Sequence, residues 1–460
     1  MKSSSSGRPT LGRFLFRLAA RLRGSRSLEI LAEIERAPFA PVEEVRSNQF
    51  RQLSALLAHA EVKVPYYREL FRGMGIASRD IRSLADFARL PTLSKDVVKA
   101  RLRDFVRDDV PLASLMLHRT GGSTGIPLEF YQSRDYVDAS DAGTYRNLKQ
   151  CGWRPGEMVA FFWGDERAAA MPKIEFEIRQ FLRRSYYFDT FHSGPEEMAR
   201  WAARFRRLRP AVALGYASTV VRFAEFLEAE NLHVPPLCGV YTTAEKLYDP
   251  QRKTLERVFG CHVFDCYGSA EIRNIAAECP HGRMHINADF VVLEIARPAF
   301  PGGPCPFVLT SLRNWTTPFI RYFNEDCGYL LDETCSCANR FPLMRLDIAR
   351  INDSFVLPNG RVMHGLFFTH LMYGSEGVAS FQFHQTARDH IVLWIVPGAG
   401  HPEGRQRSIR EAVRQVEALS PGVHVEVRET AQIPLSSAGK HRFTRSDVGA
   451  EGTTAASGRS

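Results

Sequence analysis

Between residues 116 and 345 the chain alternates short β-rich runs with longer stretches of helical spacing, an order that a layered α/β body accommodates. The β-rich runs are EMVAFFW, AVALGY, CGVYTT, CHVFDCY, DFVVLEI and PFVLTSL; MARWAARFRRL and PQRKTLERVF are two of the helical stretches. Helices between strands bring each strand back in the same direction, so a mostly parallel sheet is expected. From about 28 to 115 the pattern is mostly helical: SNQFRQLSALLAHAEVKVPYYREL repeats apolar residues at three and four and breaks at Pro65. After about 350 the strand candidates ASFQFHQ, HIVLWIV and VHVEVRE surround one helix, RQRSIREAVRQVEAL. The expected organisation is a basic variable arm (1–27), a large α/β body (28–349), a small mobile α+β unit (350–448) and a small-residue polar tail (449–460) predicted to be disordered.

Charge narrows the function classes. The net charge is +9, but Lys2, Arg8, Arg13, Arg17, Arg21, Arg23 and Arg26 supply seven of those charges from an arm without acids. The rest of the chain is nearly balanced, which argues against a general nucleic-acid surface. Within the arm, LGRFLFRLAARLRG has helical spacing and reads either as a helix packed or frayed at the terminus, or as one resting on an anionic membrane. No apolar run approaches the roughly 18 residues of a membrane span, and arginines interrupt the first one as they would not in a secretory leader, so a cytoplasmic protein is expected. Nine cysteines in 460 residues do not make a disulfide scaffold in such a class.

Three segments carry candidate chemistry. Thr120-Gly121-Gly122-Ser123-Thr124-Gly125 lets backbone N–H groups and hydroxyls approach a phosphate chain, yet no Gly-Lys-Ser/Thr closes it as in a P-loop. Asp265-Cys266-Tyr267-Gly268-Ser269-Ala270-Glu271 follows a strand and sets an aromatic ring, a tight turn and an acid able to hold Mg²⁺ at one mouth. Ile320-Arg321-Tyr322-Phe323-Asn324-Glu325-Asp326 ends in a carboxylate that could accept ribose hydroxyls. Each alone is equally a turn, a helix-start acid or a loop acid.

In this order the three resemble the phosphate loop, the Tyr-Gly-x-x-Glu segment and the Arg-Tyr-x-x-Gly-Asp segment of adenylate-forming enzymes. Ala349-Arg350-Ile351-Asn352-Asp353 is similar to the hinge of that superfamily, and Ile433-Pro434 through Gly439-Lys440 to its terminal Gly-Lys loop. TTAEKLYDPQRKTLERVFGCHVFDCYGSAEI, ECPHGRMHIN and PNGRVMHG resemble the phenylacetate–CoA ligase and CapK branch. The resemblance spans roughly 30–448. It implies a large adenylate-forming domain, a mobile lid, and activation of a carboxylic acid by ATP followed by transfer to CoA. An amide synthetase with an amine acceptor, and a degenerate nucleotide binder without activity, are the alternatives.

The resemblance also implies roles. Lys440 would bridge the carboxylate and α-phosphate, Glu271 would position Mg²⁺, and residues 120–125 would wrap the β,γ-phosphates. Tyr267, Gly268, Ser269 and the Ala244-Glu245 turn would flank adenine; Asp326 and Arg350 would hold ribose; Asp353 would be the hinge. Three departures stand out: Leu128 in place of a lysine, Glu325 in place of the glycine before Asp326, and Ala349 in place of the glycine before Arg350. Trp163, Tyr216 and Tyr241 are candidates for an acyl pocket, or ordinary core aromatics.

Cys279-x5-His285 and Cys335-x-Cys337 are two short chelating pairs. A Cys₃His set suits a closed, structural Zn²⁺ site, with His281 and Cys327 as competing ligands and buried free thiols as the plain alternative. The acid, the oligomeric state (a homodimer stays open) and the role of the arm are not encoded in these motifs.

Overall fold

The computed structural model describes residues 8–119, 128–164, 172–190, 194–296, 305–348, 355–359, 362–363, 365–372, 375–398, 401–434 and 441–448. Helices dominate the first hundred residues. The Val42–Lys63 helix stops at extended Val64, and Pro65 opens the next helix, Pro65–Met74, where its missing N–H costs nothing. Gly75, at φ +66°, ends it in the left-handed conformation that glycine adopts without a Cβ penalty.

Strand β1 (Met116–Arg119) then pairs antiparallel with β2 (Glu129–Gln132), in a register that brings Arg119 opposite Glu129. The next strands form one eleven-stranded sheet. They are β3 (Val159–Trp163), β4 (Ser185–Asp189), β5 (Val212–Tyr216), β6 (Gly239–Thr243) and β7 (His262–Tyr267). Then come β8 (Ala276–Glu278), β9 (Met284–Ile286), β10 (Val291–Ile295), β11 (Cys305–Ser311), β12 (Tyr322–Leu331) and β13 (Leu343–Ile348). Their order is β10-β11-β12-β13-β9-β8-β7-β6-β5-β3-β4.

The half from β4 to β7 is parallel. From β7 onward every pair is antiparallel, so the mostly parallel expectation describes one half of a mixed sheet. The reason lies in the connections: only eight residues join β7 to β8 and five join β8 to β9, too few for the crossover that parallel neighbours need.

Two apolar clusters fill the two halves. Phe162, Phe188, Trp201, Phe205, Phe223 and Phe259 pack in the parallel half. Leu53, Leu57, Tyr67, Phe71, Phe130, Ile286, Leu309 and Tyr322 join the N-terminal helices to the antiparallel half. The halves are clamped by a buried charge pair: Arg146, on the Arg134–Gln150 helix, donates two hydrogen bonds to Asp289 (2.6 and 3.0 Å) and one to Asn287 (2.9 Å).

The basic N-terminal segment is not a free arm over its described part. Residues Arg8–Leu22 form a helix whose Phe16, Ala19 and Ala20 are buried, with Phe16 against Tyr145 and Trp153. Gly12 makes this close approach possible, because a Cβ there would meet the Gly156 carbonyl oxygen at 2.5 Å. No described helix is long and apolar enough to cross a membrane.

Towards the C-terminus β14 (Phe355–Val356) pairs with β15 (Val362–Met363), followed by the Gly365–Met372 helix. A four-stranded sheet comes next, from β16 (Val378–Ala387), β17 (His390–Pro397), β18 (His424–Glu429) and β19 (Thr444–Ser446), in the order β18-β17-β16-β19. The Pro402–Glu417 helix makes the crossover that lets β18 run parallel to β17. Phe355, Phe368, Phe383, Leu393 and Val416 form the core of this unit.

Candidate active site and a candidate metal centre

The seam where the sheet changes from parallel to antiparallel gathers two of the three motif segments. β7 ends at Tyr267, and the chain turns sharply through Gly268 and Ser269. The Ser269 N–H donates to Ile272 O (2.8 Å) and the Ile275 N–H to Tyr267 O (3.0 Å). Glu271 sits on this turn, buried. The Tyr322 hydroxyl donates to one of its carboxylate oxygens at 3.1 Å. The turn is also tied to β2 and to the helix after it: Gln132 Nε2 donates to Ala270 O (3.3 Å) and the Tyr136 hydroxyl to Glu271 O (3.1 Å).

β12 supplies the partners. Tyr322, Asn324 and Asp326 all lie on this strand. Tyr267 donates its hydroxyl to Asp326 Oδ2 at 2.8 Å. Asn324 Nδ2 donates to that same oxygen (2.8 Å) and to the Tyr267 hydroxyl (2.7 Å). Tyr267 itself is buried, its ring 5.9 Å from that of Phe307. Its hydroxyl is thereby committed to orienting the aspartate.

A bulge aims these groups. Pro306 of β11 pairs with Cys327 and Val308 with Phe323, so Asn324, Glu325 and Asp326 together face the single residue between them. Within this bulge Glu325 takes the left-handed conformation, at φ +68°. A side chain there costs about 1–2 kcal/mol relative to glycine. The motif's usual glycine is thus explained, and its replacement is tolerated with strain.

The remaining candidates divide. Ala244 is left-handed (φ +65°), and Glu245 turns its carboxylate onto the N–H of Ser218 (2.8 Å), at the first turn of the Ala217–Ala229 helix. Trp163 and Tyr216, at the carboxyl ends of β3 and β5, stack with centroids 4.3 Å apart at 29°. That end is where α/β sheets bind ligands. Tyr241 lies in mid-strand, buried and stacked on Phe264 at 5.7 Å, a core position. Asp265 is buried; burial, with the charge of Glu278, pushes its carboxyl up to about 7. Thr120, Gly121, Gly122, Ser123, Thr124, Gly125, Arg350, Asp353 and Lys440 lie outside the described residues. The alternation at Tyr322 and Asn324 was visible in the sequence; Tyr136 and Gln132 carried no such signal.

Further along β8 and β12, Cys279, His285, Cys335 and Cys337 bring their ligand atoms within 4.8 Å of one another. The Cys279 and Cys335 sulfurs are 3.7 Å apart, and Cys337 Sγ is 3.3 Å from His285 Nε2. A tetrahedron with Zn–S bonds of about 2.3 Å has edges of about 3.8 Å, so the donors already stand at ligand spacing. His285 Nδ1 contacts the Phe341 carbonyl at 2.9 Å, which makes Nδ1 the donor and leaves Nε2 its lone pair toward the thiols. Burial lowers the His285 pKa, favouring that neutral form. Burial opposes ionisation of Cys335, but hydrogen bonds from Cys337 and Cys279 win, and its thiol lies below the ordinary value. Neither competitor is in the four-donor set: His281 borders it, its Nδ1 contacting Ser336 (2.6 Å), and Cys327 is buried in β12 beside Glu325 O.

No family model matches the chain. It is 22% identical over 399 residues to protein CapK of Staphylococcus aureus, covering 83% of this chain and 85% of that one. It is 24% identical over 351 residues to a phenylacetate–coenzyme A ligase of Thermus thermophilus, covering 69% and 73%. A 2-hydroxyisobutyryl-CoA ligase solved in its postadenylation state superposes with a TM-score of 0.71 at 21% identity, over 90% of this chain and 91% of the other. The fold is that of the adenylate-forming enzymes. In sequence the chain is similar, at 22–25% identity, to CapK and to phenylacetate–coenzyme A ligases.

Proposed function

We propose that the chain activates a carboxylic acid with ATP, forming an acyl-adenylate with release of pyrophosphate, and then passes the acyl group to CoA as a thioester. One observation carries this reading: Tyr267 meets Asp326, and Glu271 meets Tyr322, across more than fifty residues of sequence. The likeness to phenylacetate–coenzyme A ligases supports the thioester acceptor.

In this reading Asp326, oriented by Tyr267 and Asn324, accepts the ribose hydroxyls, with Arg350 beside it. Residues 120–125 donate backbone N–H groups to the β,γ-phosphates, and Lys440 neutralises charge that grows on the α-phosphate as the carboxylate attacks. Glu271 would hold Mg²⁺, a hard cation that offsets phosphate charge when bound. The unit 350–448 is the lid, swinging about Asp353 to change from adenylation to transfer. The stacked Trp163–Tyr216 pair favours a flat, modest-sized acid. Zn²⁺ at Cys279, His285, Cys335 and Cys337 would be structural, because all four positions are filled by protein donors.

Pyrophosphate release measured with ATP, a panel of aryl and short-chain acids, and either CoA or an amine tests the proposal. The expected result is acid-dependent release with CoA consumed. Adenylate consumed only by the amine would make the protein an amide synthetase, and no release with any acid would sink the reading. A second measurement addresses the bulge. Glu325→Gly removes a negative charge beside the ribose acid, worth on the order of 1 kcal/mol of repulsion, so the KM for ATP should fall about fivefold. An unchanged KM would remove Glu325 from the nucleotide's surroundings.

A further inference from the structure

The Arg8–Leu22 helix is docked by one face only. Gly12, Phe16, Ala19 and Ala20 point into the body. At 100° per residue, Arg13, Arg17 and Arg21 form a row along one flank, all exposed. Next to that row Leu11, Phe14, Leu18 and Leu22 make the outer stripe; Leu11, Phe14 and Leu22 are exposed, Phe14 at 61%. The Lys173–Arg183 helix lies against this one and continues the pattern. Its Ile174, Ile178 and Phe181, spaced by four and three, are also exposed, Ile174 at 77%.

Two packed helices thus expose six large apolar side chains, and the first of them carries a row of exposed arginines. Exposed apolar surface of this kind marks a docking face. The charge decides the occupant. Residues 8–26 contain six arginines and no acid. On the neighbouring helix Glu175 is taken up by Arg179 (2.9 Å) and Glu177 by Arg204 (3.4 Å). A second copy of the chain meeting this face symmetrically would set arginine row against arginine row. A bilayer with anionic headgroups satisfies both features, since apolar side chains enter the acyl boundary while arginines stay at the phosphates.

We propose that this face, the outer stripe of residues 11–22 together with Ile174, Ile178 and Phe181, seats the protein on an anionic lipid bilayer.

The test is sedimentation of the full chain with vesicles of phosphatidylcholine alone or with about one third phosphatidylglycerol. Binding to the anionic vesicles should be at least tenfold tighter and should weaken steeply with added salt. Replacing Arg13, Arg17 and Arg21 with glutamine should cost roughly a hundredfold in partition, at ~1 kcal/mol per basic side chain near such a surface. Phe14→Glu combined with Ile178→Glu should abolish partition. All five positions are exposed, so both variants should keep the parent's melting temperature and adenylation rate, which shows that they fold. No sedimentation, or equal binding to neutral and anionic vesicles, would overturn the proposal. So would a concentration-dependent dimer that Phe14→Glu disrupts, since that would give the face to a second copy.

Discussion

Exchanging Glu271 for glutamine is expected to lower the adenylation rate by roughly 10²–10³-fold while leaving the melting temperature nearly unchanged. Glutamine is isosteric and still offers an oxygen to the Tyr322 hydroxyl, which now stands 3.1 Å from the carboxylate. The turn through Ala270 and Glu271 keeps its backbone bonds to Gln132 and Tyr136. What disappears is the negative charge that a divalent cation needs beside the phosphates. The loss should therefore fall mainly on kcat, and raised Mg²⁺ should recover part of it. Tyr322→Phe makes a useful companion. It keeps the charge but releases the carboxylate from its hydrogen bond, for an expected loss of about tenfold. A fully active Glu271→Gln enzyme would remove this carboxylate from the chemistry and leave it a structural acid of the turn.

The largest effect on stability is expected at the four-donor cluster. Purified protein should carry one zinc per chain. Cys279→Ser should release it and lower the melting temperature by roughly 10 °C, the consequence of several kcal/mol lost. The position of the cluster adds a second readout. Cys279 follows β8, which leads away from Glu271, and Cys335 and Cys337 follow β12, which begins with the Tyr322–Asp326 segment. A slip of one residue in β12 would carry Tyr322, Asn324 and Asp326 away from Glu271 and Tyr267. Chelation should accordingly abolish adenylation at temperatures where the far-ultraviolet signal of folded protein persists. Metal below about a tenth of an equivalent in protein made with zinc present would sink the idea.

Most of the parallel half of the sheet was legible because β3, β5, β6 and β7 are compact β-rich runs separated by helical stretches, whereas the edge strand β4 was not among the runs read as strands. The antiparallel half was less so. β8 and β9 have three residues each, too short to show a period, and their pairing depends on connection lengths rather than on the strands themselves. The 320s segment could be found as a motif, yet its bulge could not: only pairing with β11 reveals that three residues face one, and hence why a left-handed residue stands at Glu325. Tyr241 shows the converse limit. Its aromatic character in a strand fits a pocket and a core equally, and burial against Phe264 decides for the core. Cys279, His285, Cys335 and Cys337 could be paired by short spacing within each couple. Their convergence across fifty residues is a property of the β9–β13 pairing.

The docking of the N-terminal helix has a practical corollary. Shortening the chain to begin at Leu28 would strip the cover from Tyr145 and Trp153, two aromatic rings stacked 5.4 Å apart, and would open a greasy trench along the large body. The trimmed protein should clump in solution for a reason unrelated to charge. Affinity tags are better carried at the opposite terminus, and any homologue lacking these opening residues must plug the same hollow with a different segment.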